Sequence, residues 1–178
     1  DTSVLPAISG GGNCIAANAV TINSANNNLY RWVPVFDNAG NITAEIYADG
    51  NDLGTINTSL FVNTAGAVRN ENGKYYLDRN ITLIPTNNAS AKIRFYVKTG
   101  ELAALQAADP SITSAADLKI TKTSSACQSV LSGTPTVINQ SDNAAYGSDF
   151  YLQFLTPSFS SFYIDGLTGA LPVIITDY

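Results

Sequence analysis

Catalysis is hard to assemble from the side chains of this 178-residue chain, because it contains no histidine. Ser-His-Asp and Cys-His arrangements are therefore ruled out, and so is the commonest general base. A pair of carboxylates can still serve a glycosidase. The acids, however, fall in turns and at surface positions (Asp37, Asp49, Asp52, Asp109 and Asp142), and Glu45 alone lies on a regular strand face. That distribution points to a non-catalytic chain.

Oxygen-rich loops suggest a different chemistry. Asp49-Gly50-Asn51-Asp52 packs two carboxylates and an amide oxygen into four residues, so Asp49, Asn51 and Asp52 are candidate calcium ligands. Asp37-Asn38 and Asn41 form a second such loop, although ordinary β-turns use the same residues. No cofactor is required by the sequence.

Aromatic rings are the third resource. Tyr76, Tyr96, Tyr151 and Tyr163 each lie on the strand side opposite an apolar partner (Leu77, Phe95, Phe150 and Phe162). In an antiparallel sandwich that side often faces water. These tyrosines are expected to form a platform for a polysaccharide or cell-surface glycan, with Arg94 and Gln153 at its edges. The competing expectation is that they lie under a loop or helix with their hydroxyls hydrogen-bonded at the rim. Trp32 sits in a strand that is apolar on both sides and is expected in the core. Five Asn-X-Ser/Thr triplets, beginning at Asn41, Asn57, Asn80, Asn88 and Asn139, carry no information in so Asn- and Thr-rich a chain.

The composition sets the frame for these groups. Hydrophobic residues make up 45% and charged residues 13%, which describes a folded domain with a neutral polar surface. With a net charge of −5 and no Lys/Arg run, nucleic acid is not an expected partner. No apolar run approaches the ~18 residues of a membrane span, so membrane insertion is not expected. Cys14 and Cys127 allow one pairing, a staple closing a loop of more than a hundred residues in an oxidising compartment; two buried thiols are the alternative. The chain starts at Asp1 and has no Met, and so reads as a piece of a longer, exported precursor. A monomer is expected.

The elements that must position these groups are mostly strands. Asn72-Gly73 is suited to a tight hairpin turn between the arms Thr55–Arg69 and Lys74–Ile84, in the middle of an antiparallel sheet. Leu77, Ile81 and Leu83 share one side of the second arm. Other strands are expected at Ala19–Ile22, Asn28–Phe36, Ile42–Ala48, Ala91–Lys98, Leu118–Thr123, Thr136–Ile138, Asp149–Leu155 and Phe159–Ile164. Within Ile42–Ala48 the even positions are expected to face the core together, and Pro34 hints at a bulge or an edge. One helix is expected at Glu101–Ala108, capped by Thr99, and a short turn at Ser114–Asp117. The fold class is therefore all-β, an antiparallel β-sandwich of about ten strands with one short helix near 100–108. Residues 1–13 read as a linker, 14–170 as the single domain, and 171–178 as the start of a junction to a following domain.

Several stretches together resemble an accessory module of large exported proteins of Bacteroidota. They are NENGKYYLDRNITL (70–83), IRFYVKTGELAALQAADPSITSAADLKITK (93–122), YGSDFYLQF (146–154) and FSSFYIDG (159–166). The closing ALPV (170–173) resembles the junction after which a type IX secretion sorting tail is usual. The resemblance implies a β-sandwich displayed on or released from the cell surface, with neighbouring domains of the same precursor as partners. It assigns no catalytic residues. Carbohydrate binding or surface adhesion is the leading expectation, a structural spacer the alternative, and a glycoside-active enzyme domain a distant third.

Overall fold

The computed structural model describes residues 12–64 and 66–166. The linker at the N-terminus up to residue 11, the ALPV stretch and the C-terminal junction lie outside the described residues. Twelve strands are described: β1 (Cys14–Ile22), β2 (Trp32–Phe36), β3 (Ile42–Tyr47), β4 (Gly54–Val62), β5 (Arg69–Glu71), β6 (Lys74–Pro85), β7 (Ala91–Val97), β8 (Lys119–Thr123), β9 (Thr136–Asn139), β10 (Asp142–Tyr146), β11 (Asp149–Thr156) and β12 (Ser161–Asp165). One helix, α1 (Thr99–Ala108), follows β7.

The strands form two antiparallel sheets. The larger runs β1-β4-β6-β12-β8-β9, with β5 also paired to β6, and the smaller runs β10-β11-β7-β3-β2. The hairpin is built as its residues suggest: Asn72 (φ 53°) and Gly73 (φ 82°) turn the chain between Glu71 and Lys74, which pair. Its long arm β6 lies in the middle of the larger sheet, flanked by β4 and β12. The short arm breaks, however. β4 ends at Val62 and β5 begins at Arg69, so the expected single strand Thr55–Arg69 becomes two.

Between the sheets lies one apolar core. Leu77, Ile81 and Leu83 of β6 share it with Phe162 of β12, and Ile93, Phe95 and Phe154 of the smaller sheet face them. Phe95, Phe154 and Phe162 form a ring triad with centroids 5.0–5.6 Å apart. Pro34 lies on β2, the edge strand of the smaller sheet, the position in a sheet that tolerates a residue without an N–H. Beside it the β2–β3 register slips at Thr43, whose hydroxyl donates to the Val35 carbonyl at 3.0 Å. This bulge corrects one expectation: Ile42 leaves the inner face and packs with Phe36 and Tyr96 instead.

Other differences are local. The first strand starts at Cys14 rather than Ala19, the second at Trp32 rather than Asn28, and the last at Ser161 rather than Phe159. β10 was not expected, because DNAAY has little strand propensity and is recruited by pairing with β11. The residue before α1 is Lys98, not Thr99. The Glu101 carboxylate accepts from the Lys98 N–H at 2.7 Å, while the Thr99 N–H donates to Asp149. Ser114 caps a single 3₁₀ turn at Ala115–Asp117, as expected.

Cys14 and Cys127 are joined across a separation of 113 residues. The bond ties the edge strand β1 to the segment 124–133, which lies between β8 and β9. Replacing both cysteines by serine is expected to lower unfolding free energy by roughly 4–5 kcal/mol, read as a drop in the urea midpoint.

Candidate functional site

The four tyrosines divide between the two sheets, so they do not form one platform. Tyr76 and Tyr163 lie on the outer face of the larger sheet and are only 1% and 0% exposed. The segment 124–133 covers them. The Tyr163 hydroxyl donates to the Val130 carbonyl at 3.0 Å, and the Tyr76 hydroxyl accepts from the Leu131 N–H at 3.1 Å. At the centre of this layer is Arg69, whose guanidinium packs on the rings of Phe61, Tyr76 and Tyr163 at 4.6–5.5 Å. It donates to the carbonyls of Leu77 and Ser129 and to Asn80. Burial lowers its pKa to about 10. The expectation that Tyr76 and Tyr163 face water is corrected: they anchor the covering segment and present no ring to a ligand.

The outer face of the smaller sheet is different. There Tyr96, Tyr151, Arg94 and Gln153 do come together. Gln153 of β11, Arg94 of β7, Glu45 of β3 and Pro34 of β2 stand opposite one another in a single row across four strands. In the next row stand Lys92, Tyr47 and Trp32, and on the other side Tyr151 and Tyr96. Four steps from β10 to β2 make this face about 19 Å wide.

Arg94 organises the face. Its guanidinium lies 4.0 Å from the Trp32 ring centroid and 4.5 Å from that of Tyr151. Its Nε donates to Gln153 Oε1 at 3.0 Å, and it pairs with Glu45 at 3.5 Å. Glu45 also accepts from the Tyr96 hydroxyl at 2.7 Å. Burial first, and then this hydrogen bond, push the Tyr96 hydroxyl well above the ordinary phenol range. Tyr96 is 3% exposed, lying beneath Tyr146 and Tyr151, so it supports the face from below and does not itself offer a ring. Trp32, expected in the core, is instead half-buried on this face, 5.5 Å from Tyr47. Among the described residues no strand pairs beyond the β2 edge, and the tryptophan ring lies over Arg94.

The calcium candidates each have a partner of their own, two of them outside the turn. Asp49 pairs with Lys92 at 3.4 Å, Asn51 donates to the Ser90 carbonyl at 3.0 Å, and Asp52 accepts from the Gly54 N–H at 2.9 Å. Asp37 likewise accepts from the Ala39 and Asn41 N–H groups and from the Asn41 amide. Among the described residues no three His, Cys, Asp or Glu side chains gather as a metal site would require.

Two acids not singled out in the sequence, Asp78 and Glu101, lie together. Glu101 at the start of α1 binds Arg79 of β6 through two contacts, one at 2.9 Å, and Asp78 lies beside it. Arg79 also donates to the Tyr96 carbonyl. Burial opposes charge on Glu101, yet Arg79 holds its pKa below the usual range. Asp78 goes the other way: burial, and then the negative Glu101, raise it to about 7. The group joins the helix to β6. The odd spacing of Arg79 among Leu77, Ile81 and Leu83 was the available signal, an arginine on the core side of a strand that needs a buried partner.

No family model, curated protein or solved structure matches this chain.

The Asp78 proton gives a pH signature. An unfolded aspartate releases it near 3.8 and the folded protein near 7, so folding binds a proton in that window and stability falls as pH rises through it. Asp78→Asn is expected to remove this fall, making the variant more stable relative to the parent at the top of the window than at the bottom. Urea unfolding at a series of pH values measures the difference.

Proposed function

We propose that this chain is a non-catalytic module of an exported multidomain protein, and that it holds a carbohydrate on the outer face of the smaller sheet. The observation that carries the reading is the packing of half-buried Trp32 and Tyr151 against Arg94, with Gln153 and Glu45 bonded to the same guanidinium. Sugars offer apolar C–H faces and a rim of hydroxyls. Rings of Trp and Tyr match the first, and carboxylate, amide and guanidinium groups match the second. Because Arg94 is fixed before any ligand arrives, little side-chain entropy remains to be lost on binding.

Charge supports a neutral rather than an acidic glycan. Arg94 is balanced by Glu45, and Lys92 by Asp49. The place of the module in an exported precursor rests on its resemblance to accessory domains of type IX-secreted surface proteins. The Cys14–Cys127 bond is compatible with an oxidising, extracellular compartment. No helix among the described residues is long and apolar enough to cross a membrane.

Retention on cellulose, chitin, xylan, mannan and starch, with and without calcium, tests the reading. Trp32→Ala and Tyr151→Ala are each expected to weaken retention about tenfold, a loss of about 1.4 kcal/mol, while Tyr163→Phe leaves it unchanged. Retention by none of these polysaccharides would favour the spacer instead.

A further inference from the structure

A buried pair on the outer face of the larger sheet stands apart from both sites described above. Lys74 at the start of β6 places its Nζ 3.0 Å from Oδ2 of Asp165 at the end of β12. The Asp165 side chain is 1% exposed and that of Lys74 14%. Tyr76 stands opposite Asp165 in the β6–β12 register, and the Arg69 layer begins beyond it. The hydroxyl of Thr121 on β8 accepts from Lys74 Nζ at 2.9 Å.

As an ion pair this arrangement is poor. Burying a carboxylate is costly unless its oxygens are well bonded, and Asp165 Oδ1 has no hydrogen-bond partner. Burial accordingly raises its pKa to about 6, against the opposing pull of Lys74. The amine nitrogen and the carboxyl group are held side by side, and an intramolecular reaction between groups so placed gains a very large effective concentration.

We propose that Lys74 and Asp165 condense into an amide that cross-links β6 to β12. A proton first passes from Nζ to Oδ2 along the 3.0 Å contact, and the freed lone pair then attacks Cγ of the carboxyl group. A C–N bond forms, and the C–O bond to the departing hydroxyl breaks. The Thr121 hydroxyl, already bonded to Nζ, takes a proton from the attacking nitrogen and returns one to the leaving oxygen. One water departs, and no oxidant or further reactant is needed. The product loses two buried charges, keeps an N–H to donate to Thr121, and leaves a single carbonyl oxygen where two carboxylate oxygens stood. This cross-link does not depend on whether the smaller sheet binds a glycan.

Intact-mass spectrometry of the reduced, denatured protein decides the matter. The expected mass is below that of the sequence by one water. Trypsin should then yield a single species joining residues 70–79 to residues 123–178, because an acylated Lys74 is not cut. Lys74→Arg retains the charge but lacks the amine, and is expected to show the full sequence mass with an unchanged far-ultraviolet circular dichroism spectrum. Thr121→Val should slow the appearance of the lighter species after refolding. A parent protein at full sequence mass overturns the proposal, and so does a water loss that persists in Lys74→Arg.

Discussion

A pleated strand has only two sides, and once the inner sides of two sheets are pressed together, every other side chain must go outward. That constraint governs this molecule. Leu77, Ile81 and Leu83 fix β6, and Ile93 and Phe95 fix β7, so the residues between them have no freedom to choose a face. What distinguishes the two outer faces is what lies over them. The segment 124–133 closes the larger sheet's face around Arg69, and the disulfide at Cys127 ties that segment to β1. The described residues place no such segment over the Trp32–Arg94 face.

Three arginines show how the same side chain serves three environments. Arg69 is enclosed by rings and carbonyls, and acts as the filler of a polar layer. Arg79 points into the sandwich and clasps Glu101, which fastens α1 to β6 and places the helix start against Asp149. Arg94 stands between half-buried rings with its charge balanced by Glu45. Only the last combines an organised guanidinium with accessible aromatic surface. The guanidinium is suited to all three because it is planar, stacks on rings and keeps its charge when partly desolvated.

The layering was legible because alternation is a local signal. The period-2 pattern in β6, β7 and β11 names the core side chains, and Asn72-Gly73 names its turn without tertiary information. The tyrosines were not legible in the same way. Alternation states that Tyr76, Tyr96, Tyr151 and Tyr163 leave the inner face, but not what covers them. That depends on a segment some fifty residues away in sequence from Tyr76, since the bond from Leu131 spans 55 positions. Trp32 was misplaced because Val33 and Val35 make its strand apolar on both sides, and an edge position cannot be read from one strand alone. Ile42 was misplaced by a one-residue bulge, which reverses a face without altering the pattern. Asp165 sits at a regular outward position in β12, and nothing local to it announces Lys74, more than ninety residues earlier.

Trp32 is the sole tryptophan of the chain and stands on the open face, so its emission reports on that face directly. Titration with oligosaccharides from whichever polysaccharide retains the protein, with acrylamide quenching before and after, is the most direct test. The account predicts a saturable change in emission with the indole shielded from quencher at saturation. Binding that saturates while the emission and the quenching of Trp32 stay as they were would contradict it.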